Sequence, residues 1–221
     1  MDNTDTRFYF DVLYPFQDRV IQVVNHADTG FYLTGGTAAS RGYLQHRFSD
    51  DLDYFVNDDA RFGLWVERII QALGKEWSCS VLLKEERFTR LNVVQDDVPL
   101  KIELINDVPA RVGNIQDHSS LGKLDSAENI LANKVTAIID REEPKDFADV
   151  WGFCCVKKLS IQSAITEAQS KAAGIFPADL GRVLCSARAS DWESIRWIQA
   201  PPVETFLSQL IELGETLLLV K

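Results

Sequence analysis

The stretch Leu33-Thr34-Gly35-Gly36-Thr37-Ala38-Ala39 is followed by Arg47-Phe48-Ser49-Asp50-Asp51-Leu52-Asp53-Tyr54, which sets a carboxylate pair a short distance after a glycine turn. Phe31 to Thr34 reads as a short apolar strand, Gly35-Gly36 as a turn able to take positive φ, and Thr37 as the start of a helix. A helix start leaves backbone N–H groups unpaired, and beside a bare glycine backbone those groups can cradle a phosphate. Asp51 and Asp53 lie two apart, so on a strand both carboxylates share one face while Leu52, Tyr54 and Val56 point into a core. Two carboxylates on one face repel each other unless a divalent cation lies between them, and hard oxygen donors suit Mg2+ or Mn2+. A glycine pair alone is a tight turn and an Asp-x-Asp alone is a solvated strand end. In this order and at this spacing they imply a metal and a phosphate together.

Further charged residues can serve the same chemistry. In Leu100-Lys101-Ile102-Glu103-Leu104-Ile105 the apolar residues share one strand face, and Lys101 and Glu103 share the other. Glu103 either meets Asp51 and Asp53 across neighbouring strands or, with Lys101, solvates a sheet face. Arg47 and Ser49 can brace the Asp51–Asp53 strand and bind phosphate, Arg47 by a charged fork and Ser49 by its hydroxyl. Lys134 precedes Arg141 by seven on a helical pattern, so the two cations can project from one side toward a cleft between lobes. Taken without the surrounding motif, Lys134 reads by default as a snorkelling surface lysine. His26, His46 and His118 show no ligand spacing.

The residues Gly35-Gly36-Thr37-Ala38, Arg47-x-Ser49-x-Asp51-Leu52-Asp53-Tyr54 and Lys134-x-x-Ala137-x-x-x-Arg141-x-x-x-Lys145-Asp146-x-x-Asp149 together resemble the motif set of the AbiEii-type nucleotidyltransferases. These are toxins of bacterial abortive-infection toxin–antitoxin pairs within the DNA polymerase beta-like nucleotidyltransferase superfamily. The resemblance covers about residues 8 to 155. It implies that Asp51 and Asp53 hold Mg2+ or Mn2+ and that Glu103 is a third metal-binding carboxylate, where the family more commonly has aspartate. It further implies that Lys134 contacts nucleotide phosphates and that Asp146 orients Lys134 or the acceptor. A helix-dipole role for the Asp146 carboxylate at a helix N-terminus competes with that account.

The elements that must position these residues follow from periodicity. Residues 8 to 27 carry Val12, Leu13, Phe16, Val20, Val23 and Val24 at helical spacing. Phe62, Trp65, Val66, Ile69, Ile70 and Leu73 form one helical face, with Asp58 or Asp59 as N-cap. Strands are expected at Cys79 to Glu85, Phe88 to Val94 and Val98 to Ile105. Asp107 to Lys123 is polar and reads as the connection between two lobes. A helix then starts at Asp125 with Glu128 completing a capping box, and Pro144 opens another. Residues 160 to 221 read as three more helices, broken near Gly174 to Pro177 and at Pro201-Pro202. The expected fold is α+β: a nucleotidyltransferase-like small mixed β-sheet with flanking helices over residues 1–123, then a helical C-terminal lobe over 124–221.

With 221 residues, 46% hydrophobic and 25% charged, the chain is an ordinary globular protein. Its acidic start lacks a signal-peptide pattern and no apolar run reaches membrane-spanning length, so a cytoplasmic protein with no membrane partner is expected. Cys79, Cys154, Cys155 and Cys185 lack zinc spacing and read as reduced, mostly buried thiols. A net charge of −10 opposes broad nucleic-acid binding, apart from a local basic cluster of Lys84, Arg87, Arg90 and Lys101. Three readings compete. The first is a metal-dependent nucleotidyltransferase that moves an NMP from an NTP onto a protein or RNA hydroxyl, with an antitoxin as partner. The second is a non-catalytic nucleotide- or partner-binding module of the same fold, and the third a phosphohydrolase, which leaves the glycine turn unexplained.

Overall fold

A computed structural model describes residues 6–218. The chain forms two compact units. The first comprises the chain up to Ala38 together with Ser49–Pro109 and Asn114–Asp125; the second comprises Ala39–Phe48, Ala110–Gly113 and the chain from Ser126 onward.

The first unit is built on a seven-stranded mixed sheet, in the order β3-β4-β5-β2-β1-β7-β6. Its strands are β1 (Tyr32–Thr34), β2 (Leu52–Asn57), β3 (Ser78–Lys84), β4 (Phe88–Gln95), β5 (Val98–Asp107), β6 (Gln116–His118) and β7 (Gly122–Leu124). β2 pairs antiparallel with β1 and parallel with β5, while β4 pairs antiparallel with β5. The alternation read from Leu100 to Ile105 holds: Leu100, Ile102 and Leu104 are fully buried. A π-helical segment Phe8–Leu13 runs into α1 (Tyr14–His26), which packs against α2 (Phe62–Leu73). The bounds of α2 are those its apolar stripe predicts, but neither Asp58 nor Asp59 caps it. Arg61 holds the N-cap position, and Asp59 accepts the Arg61 backbone N–H instead.

The Asp107 to Lys123 stretch is more than a connection. It contains the β6–β7 hairpin, and β7 adds to the sheet alongside β1 in parallel. The basic cluster is likewise not an open patch: Lys84 pairs with Glu67, Arg87 with Asp58, and Arg90 and Lys101 with Glu103. Each cation already has a carboxylate, so little uncompensated charge is left for nucleic acid.

The second unit is helical: α3 (Ala127–Arg141), α4 (Pro144–Trp151), α5 (Ile161–Gln169), α6 (Pro177–Cys185), α7 (Ala189–Ser194) and α8 (Val203–Leu218). The cap of α3 is Ser126 rather than Asp125, its hydroxyl accepting the Asn129 N–H at 3.2 Å. Asp125 instead accepts the Thr34 hydroxyl at 2.7 Å. Ile130, Leu131, Val135 and Ile138 form the buried stripe of α3. Beyond residue 160 the breaks fall where expected, although the six-residue α7 brings the described helices there to four. All four cysteines are free thiols; only Cys154 is buried, the other three being half-buried. Among the described residues no helix is long and apolar enough to cross a membrane.

Candidate active site

In the first unit, strand register alone gathers most of the predicted carboxylates. Thr34 on β1 faces Asp53 on β2, Asp53 faces Glu103 on β5, and Glu103 faces Arg90 on β4. Asp51 stands one residue before β2. The Lys101 Nζ, from the same β5 face as Glu103, lies 2.8 Å from Asp51 Oδ2 and 3.3 Å from Glu103 Oε1. The Arg90 Nε donates to Glu103 Oε1 at 2.8 Å. Burial alone would lower the Lys101 ammonium; the Asp51 and Glu103 carboxylates outweigh it and raise the group above its ordinary value.

The glycine turn is shaped around this face. Gly35 has φ +66°, and a Cβ built on it would lie 2.1 Å from Asp53 Oδ2. Only a residue without a side chain lets β1 turn here while the Asp53 carboxylate stays where it is. Gly35, Gly36 and Thr37 form a short helical turn that continues as the π-helical segment Ala38–Leu44. Thr37 and Ser49 are buried, and their hydroxyls are 3.0 Å apart. Thr37 also donates to the Asp51 carbonyl, and Tyr14 Oη accepts the Ser49 N–H at 3.3 Å. Gln17 donates to the Ser49 carbonyl at 3.2 Å, and the Tyr9 hydroxyl donates to Asp50. The backbone leading to Asp51 is therefore held by hydroxyls and an amide of the surrounding helices.

Asp51 and Asp53 present the hard oxygen donors a divalent cation takes, and the side-chain-free Gly35 lets the Asp53 carboxylate sit close against the turn, so the donor chemistry of this pair fits such an ion. Glu103 is engaged by Arg90 and Lys101. Among the described residues no three acidic, histidine or cysteine side chains gather as a ready ligand set.

The second unit holds a different cluster, centred on Asp149 of α4, which is 0% exposed. Arg47 closes a two-point fork on it, Nε to Oδ1 and Nη2 to Oδ2, both 2.8 Å. His46 Nε2 is 3.0 Å from Oδ1, and Lys134 Nζ is 2.7 Å from Oδ2. Lys134 also donates to Asp146 at 2.9 Å, and Arg141 grips Asp146 at 2.8 and 3.1 Å. The helical spacing of Lys134 and Arg141 thus brings both to one carboxylate. Burial would raise the Asp149 carboxyl, but the Arg47 and Lys134 cations overcome it and hold it well below the usual carboxylate range. Asp146 is lowered against its burial by Lys134 and Arg141, and Lys134 is raised against its burial by Asp149 and Asp146. Burial lowers the His46 imidazole despite its bond to Asp149, and His46 Nδ1 is buried without a hydrogen-bond partner.

Lys134 is 6% exposed, not a snorkelling surface lysine. Two of its three ammonium donors are spent on Asp146 and Asp149. Arg47 spends its fork on Asp149 and its Nη1 on the Phe48 carbonyl, so it braces the cluster. Sequence reasoning gave no role to His46, Tyr9 or Tyr14, placed Lys101 only in a basic cluster or on a solvated sheet face, and named Asp149 only as part of the family motif. Asp149 follows Asp146 by three, a spacing that puts both on one helix face and marks it as a companion.

JHP933 from Helicobacter pylori superposes with a TM-score of 0.62 at 19% identity, over 90% of this chain and 88% of that one. A second H. pylori structure, described as a candidate nucleotidyltransferase, gives 0.61 at 19% identity over 90% of each. At that identity the likeness establishes the fold. No curated protein matches the sequence. The family described as "Nucleotidyl transferase AbiEii toxin, Type IV TA system" matches residues 22–168, more than half of the chain. The chain therefore belongs to the AbiEii nucleotidyltransferase family.

Proposed function

We propose that this nucleotidyltransferase is metal-dependent, moves an NMP from an NTP onto a protein or RNA hydroxyl, and acts as the toxin of a bacterial toxin–antitoxin pair in the cytoplasm. The observation that carries the reading is the Asp51 and Asp53 face with Gly35 fitted against Asp53. Asp51 and Asp53 would hold Mg2+ or Mn2+, and such an ion supplies charge neutralisation and polarises the acceptor hydroxyl. The acceptor oxygen bonds to the α-phosphorus and the bond from that phosphorus to its bridging oxygen breaks. Pyrophosphate leaves with that electron pair, and the hydroxyl proton is lost to solvent.

The chain's own residues do the positioning on which such transfer depends. The backbone N–H groups of the Gly35-Gly36-Thr37 turn would bind phosphate. Thr37 and Ser49 hold the backbone before Asp51 in place. By the family resemblance Lys134 would serve phosphate oxygens; within its own unit Asp146 and Asp149 fix its ammonium and Arg47 braces Asp149. The family supports an antitoxin as partner, and the NTP as substrate.

The test is label transfer from each of four α-labelled NTPs, with Mg2+ or Mn2+, in a cell extract. Wild type is expected to label protein or RNA, and Asp51→Ala/Asp53→Ala to label neither. Equal labelling by both would remove the carboxylate pair from the mechanism.

A further inference from the structure

The Lys101 ammonium lies between two carboxylates of this sheet face, 2.8 Å from Asp51 and 3.3 Å from Glu103. Its origin is the strand pattern: Lys101 and Glu103 leave β5 on the same side, and Glu103 stands level with Asp53. Arg90, reaching from β4, takes the same Glu103 oxygen at 2.8 Å. Glu103 therefore has two cations of the protein itself before any ion from solution arrives.

We propose that Lys101 takes the place of the second divalent ion, so that this site binds one ion, on Asp51 and Asp53, rather than two. The inference rests on the reading of Asp51 and Asp53 as metal-holding carboxylates. One divalent ion together with the Lys101 and Arg90 charges carries the same positive charge as two divalent ions, so the three carboxylates are already more than offset. A second ion would have to displace an ammonium from two oxygens and then sit against it as a like charge. Glu103 thereby becomes a positioning residue that holds Lys101 and Arg90. Lys101 is half-exposed, its side chain 42% accessible, so its ammonium can turn from Asp51 toward a developing negative charge on an acceptor oxygen.

Counting Mn2+ by electron paramagnetic resonance tests this without reference to turnover. The ions counted are those lost in Asp51→Asn/Asp53→Asn, which sets other acidic sites aside. Wild type and Lys101→Arg are expected to bind one such ion with an uncoupled signal. Lys101→Met, which keeps the length without the charge, is expected to bind two, with the exchange-coupled signal of ions about 3.5–4 Å apart. A coupled pair in wild type, or a single ion in a folded Lys101→Met, overturns the assignment to Lys101 and leaves the proposed function standing. No Mn2+ in wild type that depends on Asp51 and Asp53, with or without a non-hydrolysable NTP, sinks the metal reading itself.

Discussion

Two groups of ion pairs, one in each unit, use the same residue types for opposite ends. On the sheet face, Asp51, Asp53, Glu103, Lys101 and Arg90 are half-exposed, and each pair has water as an alternative partner. Around Asp149 the carboxylates are sealed from solvent, and every lost contact would strand a charge. Exposed pairs contribute little to stability and can be rearranged; buried ones cannot be broken without large cost. The first arrangement suits a site that exchanges ligands. The second suits a scaffold that fixes the direction of one lysine.

Removing carboxylates from each group, one from the buried cluster and two from the sheet face, tests that contrast most directly. Asp149→Asn leaves Arg47 and Lys134 buried with their main counter-charge gone, and is expected to lose about 3–5 kcal/mol of stability. Asp51→Asn/Asp53→Asn should stay within about 1 kcal/mol of wild type by urea denaturation while losing transfer. Equal destabilisation in the two variants would collapse the distinction.

Gly35→Ala probes the sheet face through the backbone. Positive φ at a non-glycine residue costs roughly 1–3 kcal/mol, and here the added methyl must also push aside the Asp53 carboxylate. The expected outcome is a modest fall in denaturation midpoint with a disproportionate loss of label transfer. Retained transfer would mean that Asp53 need not occupy its present position.

The two groups were also unequally legible. The sheet face could be read because strands repeat every two residues: the spacing of Asp51 and Asp53 and the alternation around Glu103 follow from local pattern alone. That Lys101 would turn to Asp51 could not be read, since it depends on β5 lying parallel to β2, a pairing between distant segments. The Asp149 cluster joins residues 46, 47, 134, 146 and 149, and only the helical part of it has a spacing that sequence can show. The β6–β7 hairpin escaped because Gln116-Asp117-His118 is short and polar, with no apolar alternation to mark a strand. Asp125 and Ser126 are both good caps by type, and the choice fell to Ser126 because Asp125 accepts the Thr34 hydroxyl.

The smallest expected effect concerns His46, whose imidazole is lowered from its ordinary value of 6.5, burial being the main cause. Asp149 favours its charged form, while the Arg47 and Lys134 cations oppose it. A histidine with a lowered folded value stays neutral in the native state while the unfolded chain takes up a proton. Stability is thus full above about pH 6.5 and declines as the pH falls below it, by at most about 1.4 kcal/mol per pH unit. The lowered carboxyls of Asp146 and Asp149 add nothing in this window, because their contribution is lost only as pH falls below their ordinary value of 3.8. His46→Gln keeps an N–H for Asp149 but does not titrate. Urea midpoints from pH 7 to pH 5 should therefore slope less in this variant than in wild type. Identical slopes would mean that the buried cluster accommodates a protonated His46, and the contrast between a sealed scaffold and an adaptable sheet face would weaken.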